Sequence, residues 1–147
     1  METRILGPGD LGVLERLAPG VFDDPIDPRA TEAFLADPRH HLAVAVEGGV
    51  VVGFASGVHY LHPDKPRPEL WINEVGVAPT HQGRGLAKAI VGALLERGRE
   101  LGCSVAWVLT DRGNAPAMRL YAALGGEEMP GPIVGFEYRL DEGDRFD

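Results

Sequence analysis

The sequence has 147 residues, about one ordinary domain, and its 44% hydrophobic content is enough to bury a core without disulfides or structural metals. A formal net charge of −8 argues against the basic surface that nucleic acids require and suits a cationic small molecule, although the same acidity also serves solubility. The single cysteine, Cys103, excludes an intramolecular disulfide or a cysteine-built zinc site, and no apolar run approaches the roughly 18 residues of a membrane span.

Met1-Glu2-Thr3-Arg4 does not lead from a basic region into an apolar run, so no secretory leader is expected and a cytoplasmic location is. Arg4-Ile5-Leu6 reads as a short first strand. Asp10 is expected to cap a helix reaching about Leu17, with Leu11, Leu14 and Leu17 at three-residue spacing. Residues 19–28 form a loop rich in Asp and Pro that contains Phe22-Asp23-Asp24. A second short helix is predicted from Pro28 or Arg29 to Ala36, stopped by Asp37-Pro38.

The pattern then turns to strands. Residues 41–46 and 50–58 are β-rich runs around Glu47-Gly48-Gly49, a hairpin signal. A proline-broken loop over residues 62–68 leads to a third apolar run, residues 70–77. Leu86, Ala89, Ile90, Ala93, Leu94 and Leu101 form the stripe of the longest helix, which Gly102 ends. Residues 105–109 read as a buried strand. A helix from Asn114 or Ala115 to Leu124 follows, with Gly125-Gly126 as its C-cap, and residues 133–140 supply the last strand or two. The acidic tail, residues 141–147, is expected to fray. With no repeat and no long linker, residues 1–147 read as one domain of order β-α-α-β-β-β-α-β-α-β. That order is an α+β sandwich whose mixed sheet holds an antiparallel meander and at least one parallel crossover.

The strand ending at Val77 runs through Ala78-Pro79-Thr80-His81 into Gln82-Gly83-Arg84-Gly85-Leu86-Ala87, where a helix begins. Glycines there remove side chains that would hold a ligand off the backbone, and the first helical N–H groups lack intrahelical partners. Such a helix start is a ready site for a diphosphate; glycine used only for a tight turn is the plain alternative. A second glycine pattern, Gly7-Pro8-Gly9-Asp10-Leu11-Gly12, fits G-x-G-x-x-G. No parallel strand bearing a ribose-binding acid follows it, so it makes a poor dinucleotide site. No G-K-[ST] follows a glycine loop, which excludes a P-loop.

Gln82-Gly83-Arg84-Gly85-Leu86-Ala87 matches the signature Q/R-x-x-G-x-G/A of the GCN5-related N-acetyltransferase (GNAT) superfamily at every specified position. Glu74-Val75-Gly76-Val77 resembles the strand before that signature, and residues 114–125 resemble the helix ending in Tyr-x-x-x-Gly. The resemblance covers most of the chain. It implies a mixed, mostly antiparallel central sheet of roughly six to seven strands flanked by about four helices. Within the superfamily the sequence resembles aminoglycoside 3-N-acetyltransferases of the gentamicin-modifying type in Phe22-Asp23-Asp24, residues 60–77, Asp111-Arg112-Gly113, Pro116-Ala117 and Leu120-Tyr121.

The resemblance implies acetyl-coenzyme A as donor and a primary amine as acceptor; no metal is expected, since no ligand cluster accompanies His59 and His62. An alkylamine of pKa about 10.4 attacks a thioester only after losing a proton, so the site must take up that proton, stabilise oxyanion charge and assist the leaving thiolate. Glu74 is the candidate base, against the alternative of a solvated or Arg-paired carboxylate. Strand alternation puts Ile72 and Glu74 on one face and Val75 and Val77 on the other, with Gly76 a candidate bulge beyond which that parity is unsafe. The resemblance assigns the Val77 N–H to the thioester carbonyl and the main chain from Val75 to Val77 to the pantetheine arm. It assigns Tyr121 to the coenzyme A sulfur as an acid, although Ala117, Leu120, Tyr121 and Leu124 also form a helical stripe that could simply be core. Asn114 suits a helix cap, and the resemblance adds a cofactor contact.

Asp23, Asp24 and Asp111 are the candidates for holding a polycationic acceptor, against solvated loop acids. His59 and His62 read as surface or acceptor-pocket residues because no further ligand cluster accompanies them. Cys103 reads as a small buried residue rather than an acyl carrier. The first-choice acceptor is a small polycationic amine such as an aminoglycoside; a protein lysine or N-terminal amine is the second. A catalytically idle acyl-coenzyme A sensor and a nicotinamide oxidoreductase remain as other classes. The superfamily admits a homodimer, though no apolar stripe lacking a core role marks an interface.

Overall fold

The computed structural model describes residues 1–141; residues 142–147, nearly all of the tail expected to fray, lie outside the described residues. Among the described residues, five strands form one sheet in the order β1 (Glu2–Leu6), β2 (His40–Glu47), β3 (Val50–His62), β4 (Lys65–Val77) and β5 (Val105–Trp107). The first three pairings are antiparallel, and β5 joins β4 in parallel. Three α-helices accompany them: α1 (Pro28–Ala36), α2 (Leu86–Glu100) and α3 (Ala115–Ala123). This is the α+β sandwich expected; the described residues hold five strands and three α-helices where roughly six to seven and four were anticipated.

Local chemistry explains most boundaries. Gly48 and Gly49 take positive φ of 59° and 78°, giving the β2–β3 hairpin its two-residue turn. Asp27 caps α1 by accepting from the Ala30 N–H at 3.0 Å, with Pro28 at the first helical position. Gly102 at φ 79° ends α2.

Three expectations are corrected. The first helix is only a 3-10 turn, Leu11–Glu15, and Asp10 does not cap it: its carboxylate reaches back to accept from the Gly7 N–H at 2.8 Å. The expected loop over residues 62–68 is mostly strand, because β4 begins at Lys65 despite Pro66 and Pro68. The Pro68 carbonyl accepts from the Ser104 N–H on the β5 side, so the nitrogens of Pro66 and Pro68 face the β5 edge, where strand pairing begins only at Glu69. Residues 133–140 form no strand. Val134, Phe136, Tyr138 and Leu140 are 75–96% exposed, because β5 is three residues long and offers no outer ladder to extend.

The sheet is covered on both faces. On one, Leu86, Ile90, Val91 and Leu94 of α2 pack against Ala43, Ala45, Ala55, Leu70 and Ile72. Small residues on β2 and β3 let the helix approach closely, and a Cβ on Gly98 would stand 3.1 Å from Leu70. On the other face Leu14, Leu35, Leu42, Val44 and Phe54 form a second core under the 3-10 turn and α1. Among the described residues, no helix is long and apolar enough to cross a membrane.

At the far end of the α2 face, His41 is 4% exposed and its Nε2 lies 2.8 Å from Nδ1 of His59. Burial, then repulsion from His59 and Arg97, pushes the His41 pKa from 6.5 down to about 4. His41 therefore stays neutral in the fold while its unfolded form titrates near 6.5. Its contribution to stability is complete above that pH and is lost as pH falls towards 4. Urea unfolding is expected to lose about 1–3 kcal/mol from this source between pH 6.5 and 4. A His41→Gln variant should show a shallower acid slope; an unchanged slope would remove His41 as its cause.

Candidate active site

The site begins where two strands part. β4 and β5 stay paired for three positions only, Glu69 to Val105, Leu70 to Ala106 and Trp71 to Trp107. Beyond Trp107 the chain at residues 108–110 diverges while β4 continues to Val77, and a cavity of about 780 Å³ opens between them.

One wall is the second half of β4, whose register against β3 skips a residue: Gly57 faces Ile72, and Ser56 faces Glu74. Asn73 is thus a bulge. It overturns the alternation read from the sequence, since Ile72 shares the α2 face with Val75 and Val77 while Glu74 and Gly76 take the opposite face. The bulge lies three residues before Gly76, where the sequence suggested one. The Ala78 N–H donates to the Val52 carbonyl at 2.9 Å, so the main-chain groups of Val75 and Val77 point away from β3 into the cleft. Glu74 is exposed, and its carboxylate has no hydrogen-bond or ion-pair partner among the described residues.

The glycine loop closes one end. Gly83 and Gly85 both take φ 78°, a left-handed conformation that favours glycine, and a Cβ at either would meet nothing within 4 Å. Gly85 is the N-cap of α2 without a side-chain cap, leaving first-turn N–H groups open to a ligand. Gln82, Gly83, Gly85, Leu86 and Ala87 all line the cleft. Open space over an uncapped helix start fits a diphosphate. Gln82 donates its side-chain N–H to the Val77 carbonyl at 3.4 Å, tying loop to strand. The Arg84 side chain turns instead to Glu47, at 3.0 Å, and His81 lies 3.5 Å from the other Glu47 oxygen. Lys88 and Arg119 also line the cleft. The sequence reading missed them, although Lys88 lies on the first turn of the helix that the signature opens.

The opposite wall comes from α3. Asn114 caps it, accepting from the Ala117 N–H at 3.1 Å, and also lines the cleft. Asn114→Ala is expected to lower stability by about 0.5–2 kcal/mol in chemical denaturation. A midpoint equal to the parent's would mean that the cap contributes nothing. Tyr121 is half-buried against the α2 core, and burial raises its phenol pKa above the usual 10.0, which keeps the hydroxyl protonated at neutral pH.

Of the expected acceptor acids, Asp23 lines the same cavity as Glu74. The segment carrying it crosses β4 at Gly76 and is pinned by Phe22 stacked on Phe54 at 4.1 Å. Asp111 lines an adjoining cavity of about 910 Å³ that shares Val108, Leu109, Thr110 and Tyr121 with the first. Asp24 is exposed and lines neither. His59 and His62 sit on opposite sheet faces, the first against His41 and the second 3.1 Å from Glu69. Among the described residues no group of three or more His, Cys, Asp or Glu could hold a metal. Burial raises the Cys103 thiol pKa, and Cys103 lines neither cavity.

A splayed mixed sheet beside a glycine loop that opens a helix defines an α+β protein with an open cleft at the start of α2. The chain belongs to the acetyltransferase (GNAT) family, whose profile matches residues 13–125. It is 37% identical over 105 residues to the N-alpha-acetyltransferase RimI of Mycobacterium tuberculosis, covering 71% of this chain and 63% of that protein, less than two thirds of its length. It is 30% identical over 122 residues to the aminoglycoside N(6')-acetyltransferase type 1 of Salmonella typhimurium, covering 80% of this chain and 82% of the relative. Among solved structures, AAC(6')-Iy in complex with the bisubstrate analogue CoA-S-monomethyl-acetylneamine matches with a TM-score of 0.71 at 25% identity, over 94% of this chain and 97% of that one. Both aminoglycoside relatives are of the N(6') type, so the likeness extends to aminoglycoside acetyltransferases without singling out the 3-N type.

Proposed function

We propose that the protein transfers an acetyl group from acetyl-coenzyme A to a primary amine of a small polycationic acceptor, with an aminoglycoside the first choice. One observation carries this reading: Glu74, Asp23 and Tyr121 line the same cleft as the outward-facing main chain of Val75 and Val77. Acetyl-coenzyme A supplies the activated thioester. Gly83, Gly85 and the first turn of α2 bind its diphosphate through main-chain N–H groups, with Gln82, Leu86, Ala87 and Asn114 around them. Lys88 and Arg119 add positive charge. Arg84 contributes through its backbone, since its side chain is held by Glu47.

Val75 and Val77 hold the pantetheine arm as an added strand, and the Val77 N–H polarises the acetyl carbonyl. Glu74 takes the proton from the acceptor ammonium, directly or through a water, so that the free amine attacks in a ternary complex. As the C–S bond breaks, the Tyr121 hydroxyl gives a proton to the departing sulfur, and the resulting phenolate is reprotonated, through water, by the surplus proton of the newly acylated nitrogen. Asp23 and Asp111 attract the acceptor's positive charges, and the exposed Asp24 adds to that field from outside the cleft.

The likeness to the N-alpha-acetyltransferase RimI supports a second reading, in which the acceptor is a protein N-terminal amine, with a lysine amine as its variant. A free-thiol release assay across aminoglycosides, polyamines, amino acids and short peptides separates the two. Rapid thiol release with aminoglycosides is expected. Turnover with peptides alone would replace the acceptor, and cofactor binding without turnover on any amine would make the protein an acyl-coenzyme A sensor.

A further inference from the structure

The face of the sheet that carries Glu74 also carries a shelf that the acetyl-transfer chemistry leaves unused. Trp71 and Trp107 stack with ring centroids 5.5 Å apart and planes 14° from parallel. Both are partly exposed. The Trp107 indole N–H donates to the Tyr60 hydroxyl at 2.6 Å, and that hydroxyl donates to Glu69 at 3.3 Å. The second Glu69 oxygen lies 3.1 Å from His62 Nε2. This chain of contacts fixes the edge of the shelf and places a carboxylate, 19% exposed, beside it.

The bulge at Asn73 decides what the shelf can do. In a regular strand Trp71 and Glu74, three residues apart, would face opposite sides of the sheet. The extra residue puts both on one face, within about 10 Å of each other at a strand rise of roughly 3.3 Å per residue. Trp107 also lines the cavity that holds Asp111, which shares a wall with the cleft. Indole faces attract cations through the ring quadrupole and take the C–H face of a saturated ring by dispersion. A carboxylate at the rim reinforces the preference for positive charge.

We infer that Trp71, Trp107 and Glu69 form a second acceptor subsite, which holds a cationic saturated ring of a multi-ring amine while a different ring presents its amine to Glu74. The inference rests on the acceptor class proposed above. It assigns acceptor selectivity to residues that do not touch the reacting atoms.

Trp71 and Trp107 are the only two tryptophans in the chain, so intrinsic fluorescence reads the subsite directly. Titration of the intact protein with sisomicin is expected to change tryptophan emission saturably, whereas single-ring glucosamine at equal concentration changes it little. Glu69→Gln and Trp71→Phe should raise KM for sisomicin about tenfold, with KM for glucosamine and for acetyl-coenzyme A within twofold of the parent.

Sisomicin turnover without a saturable emission change would overturn the subsite and leave the proposed function standing. So would variants whose loss appears equally with both amines, or only in the thermal midpoint, since that pattern marks a packing role. Failure of sisomicin either to bind or to be acetylated would remove the acceptor class and the subsite together.

Discussion

Glu74→Gln and Tyr121→Phe are each expected to lower turnover by about 10²–10⁴-fold while the dissociation constant for acetyl-coenzyme A changes little. The substitutions keep size and remove one proton-transfer capacity each. Glu74 is exposed on the cleft floor with no partner among the described residues, so its carboxylate is open to an incoming ammonium. Tyr121 is the converse case: burial keeps its phenol protonated well beyond neutral pH, as a proton donor requires. Single-turnover kinetics with calorimetry of acetyl-coenzyme A binding separates chemistry from affinity. Parent-like turnover in either variant would end that residue's assignment, and a large loss of cofactor affinity would make the role one of binding.

Gly76→Ala is expected to damage both the fold and acceptor binding. Its added Cβ would stand 2.6 Å from the Val21 carbonyl oxygen and 2.8 Å from Phe54, where neither neighbour can yield cheaply. The clash is with backbone on one side and with a ring stacked on Phe22 on the other. Relief requires lifting the segment that carries Asp23, at a cost of about 1–3 kcal/mol for overpacking. Urea denaturation should show that loss, and the surviving folded enzyme should show a raised KM for the acceptor with little change for acetyl-coenzyme A. Gly83→Ala makes the contrast: its φ of 78° imposes conformational strain of about 1–2 kcal/mol, but no atom within 4 Å opposes the new methyl group. Its effect should fall on the cofactor side. Equal stability of Gly76→Ala and the parent would mean that the segment is not held against β4.

Features that depend on local chemistry were legible in the sequence. Gly48-Gly49 marked the hairpin, Asn114 and Gly125 bracketed α3, and the stripe from Leu86 to Leu94 marked the helix packed on the sheet. The glycine loop was found because its demands on the backbone are written in residue type. The bulge at Asn73 was not, since one extra polar residue before Glu74 leaves the composition unchanged while reversing every side chain after it. Lys88 and Arg119 were overlooked because only the meeting of α2 and α3 brings them to one cleft. The side-chain partner of Arg84 lies 37 positions away in sequence, a separation that no local pattern encodes. The alternation in residues 133–140 suited a strand, but a strand also needs a neighbour, and β5 ends after three residues.

That brevity of β5 has a thermodynamic side. Past Trp107, one edge of β4 has no strand partner among the described residues, so the sheet is complete on that side only when something else hydrogen-bonds there. A ligand that adds to this edge and has no affinity for the unfolded chain stabilises the native state by RT ln(1 + [L]/Kd), about 2.7 kcal/mol at a hundredfold excess over Kd. The resistance of this half of the protein to unfolding would then follow the supply of its ligand.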